Sequence, residues 1–228
     1  MLFKIFTEYQ QIYELFLHQF RRYVAHNKIA IFLAYHHFCR NYLVDQKRQD
    51  HTMIVTGDIA PYSDDEKDLQ LLNLIKENAR ISLLDLAQEL KMTPAGVKYK
   101  LRNLEKQKII VGYKLLIDFS KIGYQYFKVD LELEDLKIIP SLAQYILQHP
   151  NVIYRDITLG GSDFEFDCEF RNDGEFYQFM DALKIAFPQK IRQYSFYQAL
   201  KIFKYSYFPE EFLSTMSNPQ KTKSPQKH

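Results

Sequence analysis

Tryptophan is absent from this 228-residue chain, and glycine and cysteine are scarce, at Gly 7 and Cys 2. Two cysteines, Cys39 and Cys168, cannot build the disulfide framework of a small secreted domain, so free thiols in a reducing compartment are expected. So few glycines leave no loop of the kind that cradles a phosphate. Net charge is nearly absent too: Lys+Arg 30 against Asp+Glu 28 leaves +2. Any surface for nucleic acid must therefore be local. Long apolar runs are missing. The stretch Ile29–Tyr35 gives way to His36, His37 and Arg40, far short of the roughly 18–20 residues a spanning helix needs. Lys4, Glu8, Glu14, His18, Arg21 and Arg22 interrupt any secretory segment. A cytoplasmic protein with no membrane partner is expected.

Catalytic signatures are missing as well. There is no Gly-x-Ser-x-Gly, no His-Glu-x-x-His and no P-loop. The reading is therefore no enzyme, no cofactor and no metal. His36, His37 and Cys39 lack a second ligand pair at zinc spacing, and adjacent strand residues point to opposite faces. Asp163, Glu165 and Asp167 share one face of an expected strand, where carboxylates on the open side of a sheet are ordinary.

What the chain does have is aromatic residues, Tyr 17 and Phe 18, within a composition that is 46% hydrophobic. That is enough for one large or two small cores. Polar Gln46–His51 and the turn-rich Gly57–Asp65 place a linker at about 46–63. The tail 214–228 has almost no apolar residues and reads as disordered.

Residues 64–116 read as three helices and a strand pair. Asp64, Asp65 and Glu66 put negative charge in a first helical turn. Ser82 and Asp85 form a capping pair for a second helix, Leu83–Leu90. Thr93 followed by Pro94 opens a third, running to about Gln107. Ile109–Val111 and Tyr113–Ile117 suggest two short strands around Gly112. On the third helix Val97, Leu101 and Leu104 share one face. Ala95, Tyr99, Arg102 and Lys106 share the other, with Lys98 on its flank. From Lys91 to Lys108 six lysines and arginines stand against the single Glu105. A basic helix placed third in such a trio, before a strand pair, has the layout of a winged helix-turn-helix. Double-stranded DNA is the partner expected for Thr93, Ala95, Lys98, Tyr99, Arg102, Lys106 and Lys108. The competing reading is a small-molecule-binding or assembly module whose helix-turn-helix packs against partners rather than DNA.

Residues 122–209 follow a different rhythm. Phe127, Val129, Leu131 and Leu133 alternate on one strand, and Phe164, Phe166, Cys168 and Phe170 on another. The order strand, helix, strand, strand, helix, strand is that of a ferredoxin-like βαββαβ unit. The fold class expected is α+β, a winged helix-turn-helix followed by this domain. Residues 1–45 read as an N-terminal β-α-β half-repeat of it, with strands at Leu2–Phe6 and Ile29–Phe38 around a helix. Phe6 and Tyr13 stand 164 residues before Phe170 and Tyr177, which is the basis for the repeat.

From Asp65-Glu-Lys-Asp-Leu through Asn78-Ala-Arg-Ile-Ser82, Met92-Thr-Pro94, Arg102-Asn-Leu-Glu105 and Ile109-Ile-Val-Gly-Tyr113, the chain resembles the Lrp/AsnC, or feast/famine, family of archaeal and bacterial transcription regulators. The resemblance covers about 64–209. It implies a sequence-specific DNA-binding regulator with a ferredoxin-like effector and dimerisation domain, called RAM. It also implies an amino acid or other small effector at a turn patterned Gly, any residue, aromatic, Asp. That turn is Gly160-Gly161-Ser162-Asp163 here, with Ser162 in place of the aromatic. Backbone N–H groups near Gly160 and Gly161 would hold a carboxylate, and Asp163 an ammonium group. Both a homo-oligomer and an internal pseudo-dimer of two RAM-like sheets fit the sequence.

Overall fold

The computed structural model describes residues 2–44, 53–56 and 65–203. Its centre is one antiparallel sheet built on the expected βαββαβ unit. Strand β3 (Gln125–Leu133), helix α5 (Ile139–Gln148), strands β4 (Val152–Leu159) and β5 (Phe164–Phe170), helix α6 (Asp173–Ala186) and strand β6 (Ile191–Ala199) follow in that order. Two further strands from the N-terminal segment, β1 (Ile31–His37) and β2 (Met53–Thr56), extend the sheet to the spatial order β2-β1-β4-β5-β3-β6.

The helices α5 and α6 lie on one face. Alternation puts Phe127, Val129, Leu131 and Leu133 of β3 and Phe164, Phe166, Cys168 and Phe170 of β5 against Leu142, Ile146, Phe176, Met180 and Leu183. Phe127 and Phe176 stack at 4.2 Å between ring centroids, and Phe196 of β6 meets Phe176 at 4.8 Å. Asn172 caps α6 by accepting from the Glu175 N–H, and Pro140 sits in the first turn of α5.

The opposite face was expected to be an ordinary open surface. It is a layer of paired charges instead. Register aligns His37, Tyr154, Asp167, Lys128 and Tyr197 in one row across β1, β4, β5, β3 and β6. The next row holds Tyr35, Asp156, Glu165, Asp130 and Ser195. Asp156, Glu165, Asp167 and Glu169 are all buried. The Lys128 Nζ lies 2.6 Å from Asp156, 3.2 Å from Glu165 and 3.7 Å from Asp167. Burial pulls the Lys128 ammonium down, and the surrounding carboxylates more than reverse it. The Tyr126 hydroxyl donates to Asp167. Burial nevertheless pushes the Asp167 carboxyl up to about 7, with Asp156 and Asp130 adding to the effect and Lys128 opposing it.

The first element is not a strand. Leu2–Phe20 forms helix α1, so the expected β-α-β half-repeat is not present. A short apolar run such as Leu2–Phe6 fits either period, and its continuation through Tyr9, Tyr13 and Phe16 keeps the helical one. Nor, among the described residues, do two RAM-like sheets face each other as a pseudo-dimer. β1 pairs antiparallel with the edge of β4, from Ile31 opposite Leu159 to His37 opposite Tyr154. β2, inside the expected linker, pairs with β1. A free strand edge is satisfied by an added strand as well as by a second sheet, and with fewer residues. After β1 the chain is fixed by Phe38, which joins the main core and bonds the Ile153 carbonyl at 2.8 Å. Arg40 then makes a bidentate pair with the fully buried Glu169, at 2.7 and 2.9 Å, and the Tyr42 hydroxyl donates to the same carboxylate. The rest of the linker and the tail 214–228 lie outside the described residues. Among the described residues no helix is long and apolar enough to cross a membrane. Cys39 and Cys168 form no disulfide.

Two stability measurements follow. Arg40→Ala leaves the buried Glu169 without its counter-charge and is expected to cost about 3–5 kcal/mol in denaturant unfolding. Asp167 has a folded pKa above its unfolded value. Its neutral form is therefore favoured by folding, and that stability is complete below about pH 4 and lost as pH rises through about 7. Wild type should lose stability between pH 5 and pH 8, and Asp167→Asn should flatten that slope. An unchanged slope in the variant refutes the assignment.

Candidate nucleic-acid interface and effector turn

The DNA-binding candidate is a trihelical unit closed around its own core of Leu71, Ile75, Leu86, Leu90, Val97, Leu104 and Ile110. Helix α2 (Glu66–Ile75) is capped by Asp65, which accepts from the Lys67 N–H. Helix α3 (Leu83–Leu90) starts at Ser82, whose hydroxyl accepts from the Asp85 N–H and donates to its carboxylate. Lys91 ends α3 in a left-handed conformation, φ 51, and Met92 returns its N–H to the Ala87 carbonyl. Two residues later Thr93 caps helix α4 (Pro94–Lys106) by accepting from the Gly96 N–H. A side chain at Gly96 would press on the Thr93 hydroxyl at 3.2 Å and on Met92 at 3.3 Å, so this small residue keeps the cap closed.

Burial divides α4 as its sequence does. Val97 and Leu104 are fully buried and Leu101 packs beside them. Thr93, Ala95, Lys98, Tyr99, Arg102, Lys106 and Lys108 are all exposed, Tyr99 by 73%. Lys100 departs from the set of exposed cations. Its ammonium lies 2.5 Å from Asp65 and 2.8 Å from Asp68, tying α4 to the start of α2. Lys91, Lys98, Arg102, Lys106 and Lys108 remain, and none of them forms an ion pair with a described residue. Glu105, the one carboxylate of the helix, accepts from the Tyr113 hydroxyl at 2.9 Å. Partial burial, together with that bond, pushes the Tyr113 hydroxyl up to about 12.

The wing differs from expectation. No strand forms over Ile109–Val111 or Tyr113–Ile117. Lys108 takes a positive φ of 61, and the N–H groups of Ile109 and Ile110 both turn back to the Leu104 carbonyl. Those amides close the end of α4 and are not available to a strand ladder. Beyond them the Lys114 ammonium donates to the Tyr154 hydroxyl at 2.8 Å, so the segment after the helices touches the centre of the charged sheet face.

The turn Gly160–Asp163 is tightly built. Gly160 has φ 79, and a side chain there would meet the Ile29 carbonyl at 3.0 Å. At Gly161 it would collide with Thr158 and Glu165. Two polar groups of the turn, the Ser162 N–H and the Asp163 carboxylate, already have partners. The Ser162 N–H donates to Glu165 at 2.8 Å, as does the Thr158 hydroxyl. Asp163 accepts from the Leu133 N–H at 2.8 Å. Lys28, from the N-terminal segment, donates to the Ser162 hydroxyl at 3.2 Å. Glu165 and Thr158 flank the turn in sequence, whereas no local signal in the sequence pointed to Lys28.

Comparison with known proteins agrees with this architecture. A family model for winged helix-turn-helix DNA-binding domains matches residues 64–111. An HTH-type transcriptional regulator of Pyrococcus furiosus is 28% identical over 125 residues, covering 53% of this chain and 79% of that one. The structure of Escherichia coli AsnC superposes with a TM-score of 0.56 at 19% identity, over 63% of this chain and 97% of AsnC. The crystal structure of a transcriptional regulator from Neisseria meningitidis in complex with L-Met gives 0.57 at 17%, over 64% and 96%. At such identities these two structures speak for the fold alone, and more than a third of this chain has no counterpart in either. The helix trio, the ferredoxin-like sheet and the order in which they follow make this chain a DNA-binding regulator with the fold of AsnC, similar to HTH-type transcriptional regulators.

Proposed function

We propose that α4 lies in the major groove of duplex DNA and reads sequence there. The observation that carries this is the division of α4. Its apolar stripe is buried, while Lys98, Arg102, Lys106 and the flanking Lys91 and Lys108 face solvent with no acidic partner among the described residues. Tyr99 and Arg102 occupy the middle of the exposed side and are assigned to base edges. Lys106 and Lys108 at the end are assigned to phosphates. A two-fold pair of chains presents two such helices to a palindromic site.

An amino acid is proposed as the effector at the Gly160–Asp163 turn. The likeness in fold to a regulator crystallised with L-Met supports this reading. In this chain the ligand has to compete. Its carboxylate displaces Glu165 from the Ser162 N–H, and its ammonium displaces the Leu133 N–H from Asp163. Affinity is therefore expected to be low, because these two hydrogen bonds to the ligand replace ones already made within the chain.

Arg102→Ala or Tyr99→Ala should weaken specific sites more than random DNA, by about 1–3 kcal/mol where a base contact is lost. Lys106→Ala or Lys108→Ala should weaken both alike and reduce the salt slope. Footprints unchanged in all four variants would overturn the placement. For the effector, calorimetry with L-Met should show weak heats that Asp163→Ala abolishes. Equal heats in wild type and variant would remove the turn from consideration.

A further inference from the structure

We propose that α1 is a self-association helix that pairs antiparallel with α1 of a second copy of this chain. Phe6, Tyr9, Tyr13, Phe16, Phe20 and Tyr23 recur at alternating steps of four and three, the spacing that keeps one seam of a helix facing a partner helix. In the structure this seam is largely in solvent. Tyr9 and Phe16 are 48% exposed, Phe20 38% and Tyr23 70%, and beside them Ile12 is 68% and Leu15 70% exposed.

Two physical arguments require a partner. The first is helix stability. Six of the nineteen residues of α1 are Phe or Tyr, which are mediocre helix formers, and a helix of this length gains most of its stability from packing an apolar face. The second is area. Six large side chains exposed to that extent amount to on the order of 500–600 Å² per helix. Two copies would bury about 1,000–1,200 Å², the lower edge of a stable protein–protein interface.

The chemistry of the helix favours a second copy. An antiparallel pair centred between Glu14 and Leu15 sets Tyr13 opposite Phe16 and Tyr9 opposite Phe20, aromatic against aromatic in each layer. No charged residue falls on the seam. The polar side carries both signs, with Glu14 against Arg21 and Arg22 just beyond, so like-charge repulsion does not bar self-pairing. A helix lying on an anionic lipid surface is instead rich in Lys and Arg along its polar face, and Glu14 and Gln10 occupy that face here.

The pairing is tested in the full chain with Cys39→Ser as background, since Cys168 is fully buried. One protein carries Tyr13→Cys and another Phe16→Cys. On oxidation the mixture should yield a cross-linked pair, and either protein alone should yield little. Efficient self-linking of either protein alone indicates parallel helices and overturns the proposal, as does the absence of any link. Tyr13→Glu with Phe16→Glu should halve the sedimenting mass at micromolar concentration while the melting transition stays cooperative. An unchanged mass also overturns it. So does uptake of wild type by phosphatidylcholine–phosphatidylglycerol vesicles without cross-linking in the mixture, which would assign the seam to a lipid surface. None of these readouts depends on DNA or effector binding.

Discussion

Strand β5 is buried along its whole length, on both faces. One face carries Phe164, Phe166, Cys168 and Phe170, and helices α5 and α6 cover it. The other carries Glu165, Asp167 and Glu169. A carboxyl group taken out of water needs hydrogen bonds, and when ionised a counter-charge as well. Each of these three therefore recruits its partners from elsewhere in the chain. Glu165 holds the turn through the Ser162 N–H and the Thr158 hydroxyl. Asp167 takes the Tyr126 hydroxyl and shares Lys128. Glu169 takes Arg40 and Tyr42, which come from the N-terminal segment 129 and 127 residues away.

This requirement gives the segment from Ile31 to Tyr42 a reason to join the sheet. A strand added to the β4 edge satisfies backbone groups, but by itself it gives little reason for one sequence over another. The Arg40 fork on Glu169 supplies that reason, formed in the register that sets His37 opposite Tyr154. The same segment carries Lys28 and Ile29 to the Gly160–Asp163 turn. The turn is therefore enclosed by residues whose placement depends on a buried carboxylate on β5. Lys114 adds a second link, from the end of the helix-turn-helix to Tyr154 on the same face.

Within the DNA-binding unit a smaller version of the same logic operates. Lys100 belongs by sequence to a basic helix, yet its ammonium is engaged by Asp65 and Asp68. It joins α4 to the acidic start of α2. The cations that remain exposed are those at spacings that miss α2. The charge asymmetry between the two helices is thus partly an internal clamp and partly an exposed row of cations.

Local signals fixed much of this in advance. The caps Asp65, Ser82 and Thr93, the proline at Pro94 and the buried stripe Val97–Leu104 depend on residues three or four apart, and so the three helices could be read with their ends. Alternation along β3 and β5 similarly gave the βαββαβ order and the helix-covered face. What failed was decided at a distance. Leu2–Phe6 fits a strand or a helix equally well until its neighbours are counted. Ile109 and Ile110 have strand-forming side chains, but their amides are taken by Leu104 at the end of α4. The exposure of Thr93, Tyr99 and Arg102 was legible because a helix face is periodic. The engagement of Ser162 by Glu165 and Lys28, and of Glu169 by Arg40, was not. Those pairs are set by which strand lies beside which, and strand order is a property of the folded sheet that no short window of sequence contains.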